Sequence, residues 1–404
     1  MDCKISSKCQ CPRLLTFAFV GFALSTLLAP FSIYAFPNYL YVFFFVFLIL
    51  TLISYNKQPS IFTKDKVRHK QVKLWSIAWL VMFGFCLLHL HMPPQRYWPY
   101  FFYGILFFKL DIIIQKKIVS TFVRVLALLL AISIVEFLVY HFTHVGIVLG
   151  EVIRNSVTFR EIPITQLPFN MIEQSVVMPR FCGLAEEPGL IGTLSAFLLF
   201  YTDGKTKYRI HSCVFLLAGF LSMSLAFFIL LMIFLTNKLR SLKQILISFV
   251  VGCAIIFTLY HFFQDQFQEM IVERIAGETI ETIDNRSSDT FDNYFMKSVK
   301  SSQILWGTGG YLPEDIFGRT SDGGYSKGIA GAKKWIYQYG LICFIIIFFA
   351  YIRIYKANRN RILICWDYAF LISFWLSFYQ RETILETYTF LAYFGVSLNN
   401  RITC

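Results

Sequence analysis

Apolar runs of about 20 residues recur along the whole of this chain, and nothing else in it restricts folding so strongly. A run of that length makes a helix long enough to cross a hydrocarbon core of about 30 Å. Within such a core every backbone N–H and C=O must be satisfied inside the segment, so the runs are expected to be helices. Composition closes the alternative: 56% of the 404 residues are hydrophobic and 15% charged, where a soluble domain carries about 25% charge. With a mean hydropathy of +0.58, a water-soluble fold would have too little polar surface to cover itself.

Spans are expected at about 14–34, 39–55, 74–92, 98–114, 118–142, 189–202, 244–262, 333–352, 362–379 and 382–399. The run 210–235 decides the topology. Lys205, Lys207 and Arg209 precede it and Lys238, Arg240 and Lys243 follow it, and both flanks belong on the cytoplasmic side. Two short helices turning near Ser222, Met223 and Ser224 reconcile them, a broken pair that is tolerated where it is buried or faces water. The fold class expected is therefore an all-α polytopic membrane protein of about 12 transmembrane helices, with both termini cytoplasmic. Lys and Arg then concentrate on the cytoplasmic segments and Asp and Glu on the external ones, so the net charge of +13 reads as orientation rather than nucleic-acid binding.

The domain organisation expected is transmembrane helices over 1–143, a first large external loop over 144–188, central helices over 189–262 with the broken pair at 210–235, a second large external loop over 263–333, and C-terminal helices over 334–404. The basic head Met1 to Arg13 leads into an apolar stretch too long for a signal peptide, which reads as an uncleaved first span. Within the second loop, 264–282 has an amphipathic pattern suited to an interfacial helix. Of the ten cysteines, Cys3, Cys9 and Cys11 have no fourth ligand at a zinc-like spacing, and most others lie in apolar runs, so neither a disulfide framework nor a metal site is expected. No repeat of broken helices in corresponding halves appears, which counts against a flippase or other carrier.

Chemistry-bearing residues gather at the external ends of the expected spans. Arg180 is followed by Glu186, Glu187, Pro188 and Gly189 where the sixth span begins. Pro188 suits a first helical position, a helix start attracts anions, and Arg180 can hold two oxygens of a phosphate as a fork. The same residues also suit plain complementation of the helix dipole and headgroup anchoring. Arg381, with Glu386 a turn deeper, either forms a site or stitches the last two helices. Arg286, Arg319 and the Trp306-Gly307-Thr308-Gly309-Gly310 stretch stand out in the second loop, the glycines allowing close turns over a ligand or simply a pliant loop. Lys109, Asp111, Arg124 and Asp367 read as anchors near cytoplasmic ends, and Glu136, His141 and His144 as a base or a surface ion pair. No HExxH, serine elbow or P-loop motif is present.

In this order, the pieces resemble the O-antigen polymerase family (Wzy type): Arg180, Gly183 and Glu187-Pro188-Gly189 opening a span; two large external loops separated by four membrane segments; Leu305-Trp306-Gly307-Thr308-Gly309; Tyr337-Gln338-Tyr339-Gly340-Leu341; and Gln380-Arg381. The related O-antigen ligases carry a histidine where this chain has Ile329 and Ala330, which favours the polymerase over the ligase. The resemblance implies a GT-C-like bundle in the bacterial inner membrane whose two large loops are periplasmic. It also implies an inverting, nucleotide-sugar-independent glycosyltransferase without a cofactor. Its substrate would be an undecaprenyl-pyrophosphate-linked oligosaccharide, polymerised into O-antigen, capsular or exopolysaccharide chains, with a chain-length regulator and a flippase as partners beside membrane lipid. On that reading Arg180, Arg286, Arg381 and Arg319 meet the pyrophosphate, Glu187 or Glu186 is the general base, and Trp306, Tyr311 and Tyr325 stack on sugar.

Overall fold

The computed structural model describes residues 13–27, 39–57, 59, 62, 65–89, 97–155, 161–174, 179–185, 187–237, 289–312, 331–359, 362–380 and 385–399. Within these the chain is mostly helical. The helices are α1 (Arg13–Leu27), α2 (Tyr39–Lys57), α3 (Lys66–Leu88), α4 (Tyr97–Lys109), α5 (Ile112–Thr143), α6 (Pro188–Thr202), α7 (Arg209–Leu221), α8 (Leu225–Thr236), α9 (Asp289–Lys300), α10 (Gln303–Trp306), α11 (Gly331–Arg359), α12 (Cys365–Gln380) and α13 (Thr387–Ser397). By length and composition α3, α5 and α11 suffice to cross a membrane, and α1, α6 and α8 are shorter apolar helices. Large apolar side chains on their outer faces, such as Leu80, Leu128, Val135 and Phe349, are exposed, which fits lipid rather than water as the solvent there. The protein is a helical membrane protein. The span expected at 244–262 and the amphipathic stretch 264–282 lie outside the described residues.

Several boundaries differ from expectation, each for a local reason. The break between α4 and α5 falls at Leu110 and Asp111 rather than near 115–117, because the Asp111 carboxylate accepts the Ile113 amide at 2.7 Å and caps the helix. Asp111 is thus a cap as much as an anchor. Helix α3 starts at Lys66 rather than near 74, capped by Asp65 accepting the Val67 amide. Glu386 is the N-cap residue of α13 and not a charge one turn inside a span.

At one end of the bundle a buried polar network ties five helix termini together. Arg359, closing α11, forms an ion pair with Asp367 of α12 at 2.6 Å, both side chains fully buried. Tyr355 donates to Asp367 at 2.9 Å, and Arg359 reaches the Asn399 carbonyl beyond α13. Asn399 donates to the Tyr201 carbonyl near the end of α6, while Arg68 and Gln71 of α3 donate to Asn358, which donates to Ser397. Asp367 therefore does not snorkel to a headgroup, as its position in the sequence suggests. Its charge is spent inside the protein, where every partner must be present for the pair to be tolerated.

At the opposite end, the connection between α5 and α6 carries a four-stranded antiparallel sheet in the order β1 (Gly150–Asn155), β2 (Glu161–Gln166), β3 (Met171–Glu173), β4 (Arg180–Gly183). The sequence reading leaves this segment a loop. Phe169, in the β2–β3 turn, pins the sheet to α5 by both backbone groups: its carbonyl accepts from the Ser133 hydroxyl, and its amide donates to Glu136 at 3.0 Å. Glu136 is accordingly a backbone acceptor rather than half of a surface ion pair. Phe181 packs on Phe137 of α5, ring centroids 5.5 Å apart. Alternation along β3 and β4 then turns Glu173 and Arg180, which pair across the strands, to the other face.

Candidate functional site

That other face meets a break in the bundle. The run 210–235 is two helices, α7 and α8, turning at Ser222, Met223 and Ser224, with Met223 at φ 46°. Helix α6 passes so close that a Cβ on Gly192 would lie 2.8 Å from the Ser224 Cβ and 2.9 Å from the Ser222 Oγ. Only a glycine there lets the helix seat against the turn. Arg180 bridges sheet and turn: Nη1 contacts the Glu173 carboxylate at 2.9 Å, and Nη2 donates to the Met223 carbonyl at 3.4 Å. The side chains of Arg180 and Glu173 are 12% and 7% exposed, and the Arg180 Nε is buried without a partner among the described residues. A guanidinium fixed by two of its donors, with a third buried and unspent, is built to take one more acceptor.

Glu187 is the N-cap residue of α6 in extended conformation, with Pro188 opening the helix and no side-chain capping bond. It ends the short connection that joins β4, whose first residue is Arg180, to α6. Glu186, Arg286, Arg319, Tyr325 and Arg381 lie outside the described residues. Glu173, which the sequence reading does not single out, is the carboxylate that the fold gives Arg180. No local signal marks it, because β3 is only three residues long and the pairing of Glu173 with Arg180 exists only once the strands are in place.

A second constellation joins the two segments Leu305 to Gly310 and Tyr337 to Gly340. Gly340 interrupts α11 with φ 85° and ψ 155°, so carbonyls of the preceding turn lose their helical donors. The loop after α10 supplies replacements: the Thr308 amide donates to Tyr337 and Gln338, the Gly310 amide donates to Gln338 at 2.9 Å, and the Gln338 side chain donates back to the Gly310 carbonyl at 2.8 Å. The backbones touch directly. A Cβ on Gly340 would stand 2.4 Å from the Leu305 carbonyl oxygen, and one on Gly307, at φ 77°, would stand 2.5 Å from the Gly340 nitrogen. Gly307 and Gly340 thus each bring one backbone segment directly against the other. Gln338 is buried, and its Oε1 has no partner among the described residues.

Trp306 packs against Phe85 of α3 with 5.3 Å between ring centroids and remains about half exposed, as does Tyr311. Among the described residues the contacts of Arg180 are with Glu173 and Met223, and neither aromatic is one of them. Among the described residues no group of three or more His, Cys, Asp or Glu side chains is placed to hold a metal ion. Compared with protein-family models, curated proteins and solved structures, the chain matches none of them. Its functional reading therefore rests on its own residues.

Proposed function

We propose that the protein is a membrane glycosyltransferase of the O-antigen polymerase kind, joining saccharide units carried on a polyprenyl pyrophosphate at the external face of the bacterial inner membrane. The observation that carries this reading is Arg180, a guanidinium set at a broken helix pair with a buried donor unspent among the described residues, in a lipid-embedded protein. A lipid-linked sugar is already activated, so the enzyme must hold the departing diphosphate and accept one proton. In the reaction the acceptor hydroxyl oxygen attacks the anomeric carbon, and the bond to the diphosphate breaks with its electron pair leaving on oxygen. Arg180, joined by Arg286, Arg319 and Arg381, stabilises that charge. The hydroxyl proton passes to Glu187, or to Glu186 beside it.

The finer architecture belongs to the same reading: twelve crossings in a GT-C-like bundle, two periplasmic loops, and cytoplasmic termini. The buried network at the end opposite the sheet supports it, because the five helix termini that it gathers are the ones a cytoplasmic assignment groups together. The loop-to-helix joint at Gly307 and Gly340 supports it as well, since two of the points of resemblance form one unit.

The test is the glycan of a strain lacking this chain. Single repeats in place of a ladder are expected, and an unaltered ladder overturns the proposal. Loss of every attached chain would favour a ligase instead. Arg180→Lys and Arg180→Ala should each abolish the ladder at normal membrane abundance, as should Glu187→Gln. Normal polymerisation by both arginine variants removes the diphosphate role, and normal polymerisation by Glu187→Gln moves the base elsewhere.

A further inference from the structure

The face of the sheet turned toward α5 encloses a cleft of about 380 Å³, within the size range of small-molecule sites. Tyr140, His141 and His144 line it from the last turn of α5, and Glu151, Thr165 and Gln174 from the sheet. His144 owes its direction to the left-handed cap that ends α5, at φ 53°. The cleft is not the Arg180 site, because Thr165, Ile172 and Phe181 share its face while Glu173 and Arg180 occupy the other.

Its hydrogen-bonding capacity is largely unspent. Among the described residues the side chains of His141, His144 and Glu151 make no hydrogen bond or ion pair; the two imidazoles have ring neighbours only. Gln174 donates to the Thr165 hydroxyl at 3.1 Å, which leaves its amide oxygen and the Thr165 hydroxyl hydrogen available. Among the described residues no Lys or Arg lines the cleft, so none of the groups lining it is a fixed cation that would select a phosphate. Pro163 and Pro179 add flat apolar surface beside the Tyr140 ring. Interleaved donors and acceptors around rigid apolar faces, without a cation, suit a ring bearing several hydroxyls.

We infer that this cleft is a saccharide-binding subsite for a neutral or amino sugar, held by Glu151, Gln174 and His144 and separate from the diphosphate site. The inference extends the glycan-directed reading above, although it concerns sugar recognition alone. Gln174 and Pro179 directly follow Glu173 and precede Arg180 in the chain, so a sugar held here lies beside the strands that carry the arginine.

The experiment uses the full chain in nanodiscs, with glucose, N-acetylglucosamine and glucosamine as probes in saturation-transfer NMR. At least one sugar should show saturable transfer, and Glu151→Gln and Gln174→Ala, both at accessible positions, should each weaken it about 10-fold, the scale for a hydrogen bond to a charged or buried polar partner. Thermal unfolding of each variant separates lost binding from lost folding. Inorganic pyrophosphate should not displace the sugar. The inference is overturned if none of the three sugars binds, if binding is unchanged in both variants, or if pyrophosphate competes. Failure of the polymerase reading shows instead in the glycan ladder, with this binding intact.

Discussion

Replacing Gly340 by Ala tests how the two loop segments are held. The added methyl would stand 2.4 Å from the Leu305 carbonyl oxygen, 2.6 Å from the Trp306 carbonyl carbon and 2.9 Å from the Gly307 nitrogen. All three are backbone atoms, so no side-chain rotation relieves the contact. A non-glycine residue at φ 85° adds about 1–2 kcal/mol of strain. The chain escapes by moving the loop after α10 away, which surrenders the Thr308 and Gly310 amide bonds and the Gln338 side-chain bond. At about 1 kcal/mol each, those losses and the strain together give about 4–5 kcal/mol. Amide exchange over 305–312 reads the event directly: slow in the parent, where Thr308 and Gly310 are bonded, and fast in Gly340→Ala. Gly84→Ala is the control, because a Cβ there meets nothing within 4 Å. Retained protection of Thr308 and Gly310 in Gly340→Ala would refute the interlock.

Asp367→Asn leaves the buried Arg359 charge without its counter-ion and should cost about 3–5 kcal/mol in thermal unfolding; the double change Arg359→Met with Asp367→Leu should recover most of that loss. Burial, reinforced by Lys207, Arg359 and Lys116, pushes the Lys205 ammonium down to about 7. The unfolded chain then binds the extra proton between that pH and about 10.5, so stability should rise with pH across this window and level off below it. Lys205→Met should flatten the profile, and an unchanged slope in unfolding measured at pH 7 and 9.5 would refute the assignment. Glu173→Gln removes a carboxylate 2.9 Å from Arg180. It should tighten inorganic pyrophosphate binding about 5-fold or more, whereas weakened binding would make Glu173 a residue that mainly positions the guanidinium.

Much of the helical framework was legible because lipid enforces it. Runs as apolar as 39–55 or 118–142 have one way to satisfy their backbones in a bilayer, and α2 and α5 occupy those positions. Basic flanks on both sides of 210–235 were enough to place a turn, and the helices break at Ser222 to Ser224. The sheet was not legible, since its strands are only three to six residues long and hold together by pairing and by contacts to α5 that no local pattern records. Glu173 was missed with it. The glycines of 307–310 were visible as a demand for unusual backbone, but what they approach lies some 30 positions along the chain. Sequence gives such a demand without its object.

The pairing of Arg180 with Glu173 changes what the rest of the site must supply. Together the two side chains are close to neutral, and both are largely withdrawn from water. On the proposed function, a diphosphate arriving there would meet fixed donors rather than a net positive field, because the Coulomb attraction of the guanidinium is opposed at nearly equal range by the carboxylate. Geometry can come from Arg180 alone, through a buried Nε that nothing else among the described residues uses. Charge cannot. Stabilising a departing diphosphate therefore requires cations from elsewhere in the chain, and Arg286, Arg319 and Arg381 are the sequence's candidates. Arg180 would set where the diphosphate sits, and the other arginines how strongly it is held.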